Sequence, residues 1–243
     1  MSKFGLIGKN IDYSFSKKYF SKKFERENLP HSYENFDIHS IADFQNIISE
    51  TPNLKGLNVT IPYKEEVISL LDNLDEDARK IGAVNTIKIS DDKKLTGYNT
   101  DHFGFQKSLE AFLPLQQKTA LILGTGGASK AVAYALEKLG FRFKFVGRKE
   151  SLNTLQYSSL NQSIIESHLL LINCTPVGTF PNIAAFPPIP YQFLTENHLL
   201  FDLIYNPSET EFLKQGKAIG AKTTNGLKML ELQADRAWEV WNS

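Results

Sequence analysis

The stretch TALILGTGGASKAVAYALEKLGFRFKFVG, residues 119–147, restricts the possible folds more than any other part of the chain. An apolar run closes on glycine, apolar residues then recur at helical spacing, and a second apolar strand follows, the order of a parallel βαβ unit. A strand that feeds a helix through glycine aims backbone N–H groups and the positive helix end at one point, where a pyrophosphate binds. Gly124 permits the tight turn and Gly126 the close approach of phosphate, with Thr125, Gly127 and Ala128 completing the loop. Ser129 stands where the general fingerprint has glycine or alanine. Glycine turns also serve ordinary loops, so the order of strand, helix and strand carries this reading. About 20 residues on, where an NAD-specific site places Asp or Glu, the chain reads GRK. Arg148 and Lys149 are suited to a 2′-phosphate and favour NADP, while Glu150 keeps NAD open.

Ahead of this unit, KFGLIG reads as a strand, 16–28 as a helix, YENFDI as a strand, 41–50 as a helix and KGLNVTI as a third strand. Pro62 breaks that strand, YKEEVISLL shows helical spacing, and AVNTIKI with LTGYN forms a hairpin about SDDKK. DHFGFQKSLEAFL is amphipathic, with Asp101 placed to cap its first turn. After the βαβ unit, LLLINC, LLFDLIY and a short segment around 221–224 read as strands, with a Pro-rich loop over 176–190. The closing helix gathers Leu227, Leu230, Ala234, Ala237 and Trp241 on one face. The expected fold class is α/β with two domains. The expected units are 1–101, then 102–225 as a Rossmann-type doubly wound domain suited to NADP, then a closing helix 226–243 that packs onto a domain.

The 27 basic and 27 acidic residues cancel, leaving no basic field for nucleic acid and favouring a small-molecule partner. No apolar run approaches the roughly 20 residues that span a bilayer, no secretory leader is evident, and Cys174 is the lone cysteine. A cytoplasmic protein with no membrane partner is expected. The five histidines are scattered, so no metal is expected.

Polar side chains gather at predicted strand ends: Asn58, Thr60 and Lys64 in NVTIPYK, Asn85 in AVNT, Thr100 and Asp101 in NTD. Such ends border the ligand crevice of open α/β sheets, although each residue singly also suits a turn, a helix cap or a solvated surface. Together with SFS near the start, the GTGGAS turn and the final NGLKMLELQA, these motifs resemble the shikimate dehydrogenase family in their order and over nearly the whole chain.

That resemblance implies reversible NADP-dependent hydride transfer between shikimate and 3-dehydroshikimate, on the route to chorismate and the aromatic amino acids, by a monomer or homodimer. It also implies that 1–101 is the substrate-binding and catalytic domain and that the helix 226–243 packs back on it. It implies Lys64 as acid/base with Asp101, Ser14 and Ser16 as ligands of the substrate carboxylate, and Asn58, Thr60, Asn85, Asp101 and Gln233 as partners of its hydroxyls, with Thr100 alongside. Tyr205 matches a position on the substrate side, Thr175 one on the cofactor side, and Gly226 and Met229 positions beside the nicotinamide. The chain departs from the family at Tyr13 and Lys17, which flank the two serines where His and Pro are usual, and at Gly147 and Lys149 around Arg148. A quinate/shikimate dehydrogenase of broader substrate or NAD preference is the nearest alternative. A dinucleotide-sensing regulator, which would be expected to lack the Lys64 and Asp101 pair, and a folate-type dehydrogenase are more distant ones.

Overall fold

The computed structural model describes residues 1–11 and 14–243, and the chain divides into two compact units, Met1–Thr100 with Gln233–Ser243, and Asp101–Leu232. Tyr13 lies outside the described residues.

In the first unit six strands, β1 (Lys3–Gly8), β2 (Ser32–Asp37), β3 (Leu54–Val59), β4 (Asn73–Leu74), β5 (Thr86–Ile89) and β6 (Leu95–Tyr98), line up in the order β2-β1-β3-β5-β6-β4. β1 pairs in parallel with β2 and β3, as the βαβαβ pattern requires, whereas β5 runs antiparallel to both β3 and β6. Helices α1 (Phe15–Arg26), α2 (Phe44–Glu50) and α3 (Glu76–Ile81) complete this part. Ser14 caps α1 by accepting from the Lys17 amide, and Asp75 caps α3 by accepting from the Ala78 amide.

One expected helix is replaced. YKEEVISLL forms turns and a short 3-10 helix at Glu66–Leu70. The Lys64 carbonyl accepts from the Val84 amide at 2.7 Å, which ties this backbone to the approach to β5 instead of to an α-helical ladder. The helical spacing still buries Tyr63 and Val67 in the core beside Phe44, Leu57 and Ile87.

The second unit holds β7 (Thr119–Leu123), β8 (Arg142–Gly147), β9 (Thr154–Gln156), β10 (Leu170–Asn173), β11 (Leu199–Asp202) and β12 (Lys222–Thr224), all parallel, in the order β12-β11-β10-β7-β8-β9. The chain moves outward from β7 in one direction and from β10 in the other, so the topological switch point falls between these two strands. Its helices are α4 (Asp101–Glu110), α5 (Gly127–Lys138), α6 (Gln162–Glu166), α7 (Glu211–Ala218) and the start of α8 (Leu227–Asn242). Both sheet faces are covered: Ala120, Ile122 and Ile172 pack with Phe105, Leu109 and Leu136, while Leu121, Leu171 and Leu200 pack with Ile165, Phe212 and Leu213. Burial on both faces explains why these strands read as unbroken apolar runs.

α8 differs from its expected single stripe. Leu227 is exposed and Met229 is buried in the second unit's core, whereas Ala234, Ala237, Val240 and Trp241 pack with Phe4, Phe20, Phe24 and Tyr33 in the first. Because its first turns belong to one unit and the remainder to the other, one apolar face cannot serve the whole helix. Trp241 donates from Nε1 to the Ile87 carbonyl at 3.0 Å, anchoring the end of α8 on β5.

Candidate active site

In the first unit, residues far apart in sequence meet in one buried polar network. Tyr33 Oη donates to Asn58 Oδ1 at 2.8 Å, and Asn58 Nδ2 donates to the Asn85 carbonyl and to Thr86 Oγ1, each at 3.2 Å. Asn85 Oδ1 accepts from the Thr100 amide at 2.7 Å and from Thr86 Oγ1 at 3.0 Å. Asn85 Nδ2 donates to Thr100 Oγ1 at 3.0 Å and to Gln233 Oε1 at 3.3 Å, and Thr100 Oγ1 lies 3.3 Å from the same Gln233 oxygen. Asn58, Asn85, Thr100 and Gln233 are all buried. A cluster of amides and hydroxyls held by one another offers donors and acceptors in fixed directions, as recognition of a polyhydroxylated ring demands.

The same network reaches the start of α1. Burial drives the Tyr33 phenol far above its ordinary range, opposed by a hydrogen bond from Ser16. Ser14, at the cap, and Ser16, in the first turn, stand at the positive end of a twelve-residue helix, a setting that favours a carboxylate. Lys17 beside them is exposed. Thr60 lies one residue beyond β3, where its amide donates to the Ile7 carbonyl at 2.9 Å. Lys64 is half-buried in the turns that follow.

In the second unit, Asp101 is buried at the first residue of α4. The glycine turn follows β7, at one side of the switch point. Gly124 has φ +111°, a region L side chains avoid, and its amide donates to the Val146 carbonyl at 2.8 Å. At Gly126, the N-cap of α5, an added Cβ would meet no protein atom within 4 Å, so the space that a phosphate needs against this backbone is open. Thr125 is exposed, and Gly127 and Ala128 are half-buried in the first turn of α5. Ser129 is fully buried and donates from Oγ to the Gly126 carbonyl at 2.6 Å, which satisfies a hydroxyl where glycine or alanine is usual. The residues present therefore fit a dinucleotide.

Arg148 and Lys149 are exposed just past β8, whose neighbour across the sheet, β7, delivers the turn. Gly147 is buried, and a Cβ there would come within 3.2 Å of Thr154 Cγ2, which leaves little room for a larger side chain. Thr175, on the other side of the switch point, abuts the turn: a Cβ on Gly124 would lie 3.1 Å from Thr175 Cγ2. Gly226 packs so closely on the backbone of Leu203 that any side chain would collide with it. Met229 is a core residue. Tyr205 is half-buried beyond β11, and burial raises its phenol.

Tyr33 and Thr86 belong to the network of the first unit, and Asn173 and Asp202, which share a 3.0 Å hydrogen bond at the ends of β10 and β11, to a second one, without having been singled out from the sequence. Thr86 sits inside the AVNT motif. Asp202 had a legible signal, a carboxylate that ends an apolar strand. Tyr33 had none, since an aromatic residue in a strand is ordinary. Among the described residues there is no group of three or more His, Cys, Asp or Glu that could hold a metal, and no helix long and apolar enough to cross a membrane.

Comparison with known proteins bears on both halves. Residues 6–87 match the family model for the shikimate dehydrogenase substrate binding domain. An NADP(+) shikimate dehydrogenase of Clostridium botulinum (strain Hall) is 38% identical over 248 residues, covering 98% of this chain and 95% of that protein. The crystal structure of the Thermus thermophilus shikimate 5-dehydrogenase in complex with NADP(H) and shikimate superimposes with a TM-score of 0.87 at 32% identity, covering 99% of this chain and 93% of that one. The quinate dehydrogenase of Corynebacterium glutamicum in complex with NAD gives 0.88 at 28% identity, with coverage of 99% and 93%.

Proposed function

Since the chain belongs to the shikimate dehydrogenase family, we propose that it interconverts shikimate and 3-dehydroshikimate with NADP as the redox cofactor, as a monomer or homodimer in the cytoplasm. The observation that carries this reading is the convergence of Asn58, Asn85, Thr100 and Gln233 in one buried network, an array suited to a ring bearing several hydroxyls. Ser14 and Ser16, at the positive end of α1, take the substrate carboxylate. Thr60 and Tyr205 complete the substrate contacts. NADP held at the turn Gly124 to Ser129 would supply the hydride acceptor for the carbinol carbon of the substrate on oxidation, and the hydride donor on reduction.

Oxidation of an alcohol to a ketone also releases the hydroxyl proton, and reduction must supply it. Lys64 exchanges that proton, and Asp101 holds the same hydroxyl and orients the ammonium. The turn Gly124 to Ser129 holds the pyrophosphate, with Thr175, Gly226 and Met229 on the remaining cofactor side. Arg148 and Lys149 neutralise the 2′-phosphate of NADP, an arrangement favoured by their exposure beyond β8 and by the lack of a carboxylate at the end of that strand.

The quinate dehydrogenase likeness supports a second reading, broader substrate use with NAD. Purified protein supplied with shikimate or quinate, each with NADP or NAD, separates the two by the appearance of reduced cofactor. Shikimate with NADP is expected to turn over fastest. Faster reduction of NAD with quinate would transfer the assignment to the second reading, and no reduction in any combination would point to a dinucleotide-sensing regulator.

A further inference from the structure

Asp202 ends β11 with no solvent exposure, an expensive place for a carboxyl group. Its Oδ1 accepts from Asn173 Nδ2 and from the Ile204 amide, both at 3.0 Å, and its Oδ2 accepts from Thr210 Oγ1 at 2.6 Å. Asn173, equally buried at the end of β10, uses its Oδ1 to accept from Thr175, from the amide at 3.0 Å and from Oγ1 at 2.6 Å. Thr175 Oγ1 in turn accepts from the Val177 amide at 3.2 Å. A short chain of hydrogen bonds thus runs from a buried carboxyl to the side chain that abuts Gly124 at the switch point.

The chain has a direction. An asparagine amide can be turned end for end, which here would aim its NH2 group at the Thr175 amide N–H, a donor that cannot reverse its role, and would cost the 2.6 Å bond that Thr175 Oγ1 now donates. Two acceptors facing Asn173 Nδ2 oppose that rotation, the Asp202 carboxylate at 3.0 Å and, at a longer 3.3 Å, the Val177 carbonyl, so the carboxylate supplies the shorter, charged restraint. Desolvation pushes the Asp202 carboxyl up to about 6, so this acceptor is kept against its burial by the three donors around it. A well-packed apolar residue would fill the same volume without orienting anything.

We propose that Asp202 is a positioning residue for cofactor binding: it fixes the Asn173 amide so that its oxygen holds Thr175 against the dinucleotide turn. The proposal rests on the reading that the dinucleotide lies at that turn. Asp202→Asn should preserve the function, because the Ile204 amide keeps an oxygen facing Asn173 and Thr210 Oγ1 can accept as well as donate. Asp202→Ala should not.

NADPH binding, followed by the change in its fluorescence, is measured alongside the KM for shikimate and thermal unfolding of each variant. Asp202→Ala is expected to weaken NADPH binding about ten-fold while the shikimate KM moves less than about two-fold, and Asp202→Asn to stay within about two-fold of the parent in both. Asn173→Ala should match Asp202→Ala, and the double variant should be no worse than either. A folded Asp202→Ala that binds NADPH like the parent, losses equal in both ligands, or an Asp202→Asn as weak as the alanine variant would each overturn the proposal. Should Asp202→Ala fail to fold, parent-like NADPH binding by Asn173→Ala overturns it equally. Failure of the parent itself to bind NADPH would instead overturn the dinucleotide reading and this proposal with it.

Discussion

Replacing Tyr33 with phenylalanine tests whether the buried network of the first unit serves substrate binding. The change removes one oxygen. The ring remains, stacked on Phe20 at 4.8 Å and 12°, so packing loses only the space of a hydroxyl. What goes is the 2.8 Å donation to Asn58 Oδ1 and the acceptor that Ser16 uses. Asn58 is buried, so its oxygen cannot recover a partner from bulk water, and a stranded acceptor of this kind costs about 1–3 kcal/mol. Urea unfolding of Tyr33→Phe should therefore show a loss in that range. Asn58 Nδ2 keeps Thr86 and the Asn85 carbonyl, so the side chain should loosen without leaving the site. If Asn58 and Ser16 contact the substrate, that loosening raises the shikimate KM by about five- to ten-fold, an energy of about 1 kcal/mol, with the KM for NADP unchanged. Unaltered stability together with unaltered KM would refute the role of the bridge. An equal rise in both KM values would refute its confinement to the substrate half.

Lys64→Ala should lower turnover by roughly 10² or more with NADP affinity nearly unchanged, and wild-type turnover in that variant would remove Lys64 as the acid/base. Alanine at both Arg148 and Lys149 should raise the KM for NADP by about ten-fold or more, the value of charged hydrogen bonds to a phosphate, with NAD barely affected; an equal effect on the two cofactors would show that neither side chain reads the 2′-phosphate. The Asp202 carboxyl ionises near 3.8 when exposed and near 6 in the folded chain, so its contribution to stability is fully present below pH 3.8 and is lost as the pH rises through 6. Relative to Asp202→Asn, the parent should lose about 3 kcal/mol across that whole range and roughly half of it between pH 5 and 7.5, read as urea midpoints; parallel pH profiles would contradict a raised pKa.

What could be read from the chain follows from how far each feature depends on distant residues. The strand, glycine turn and helix at 119–138 are set by local spacing, and the structure places β7 and α5 there. The motif asparagines were visible because NVTIPYK and AVNT are dense in polar groups beside apolar strands. The short elements α3, α6, α7 and β9 were not, since six, five, eight and three residues give a periodic signal little room. Capping marks were present for α3 in Asp75 and Gly82, the latter with φ +69°, but a cap without a long amphipathic run does not declare a helix by itself. The segment after Pro62 misled for a different reason: Tyr63 and Val67 do share a buried face, yet a single bond from the Val84 amide to Lys64 settles the backbone in turns.

The polar partners mark the deepest limit. Tyr33 meets Asn58 across 25 positions, and Asn85 meets Gln233 across 148, so their meaning exists only after the sheet and the last helix are in place. Asn173 and Asp202 differ in kind, because each ends an apolar strand and their parallel pairing puts them side by side at the sheet's carboxyl edge. A buried strand that ends in a polar residue, next to another that does the same, is a pattern that sequence already holds. Register turns it into chemistry: the same pairing that aligns Ile172 with Phe201 in the core also sets the Asn173 amide against the Asp202 carboxyl. A slip of one residue between β10 and β11 would take the Asp202 carboxyl out of its pairing with the Asn173 amide, so the packing that stabilises the second unit also orients the loop that bears Thr175.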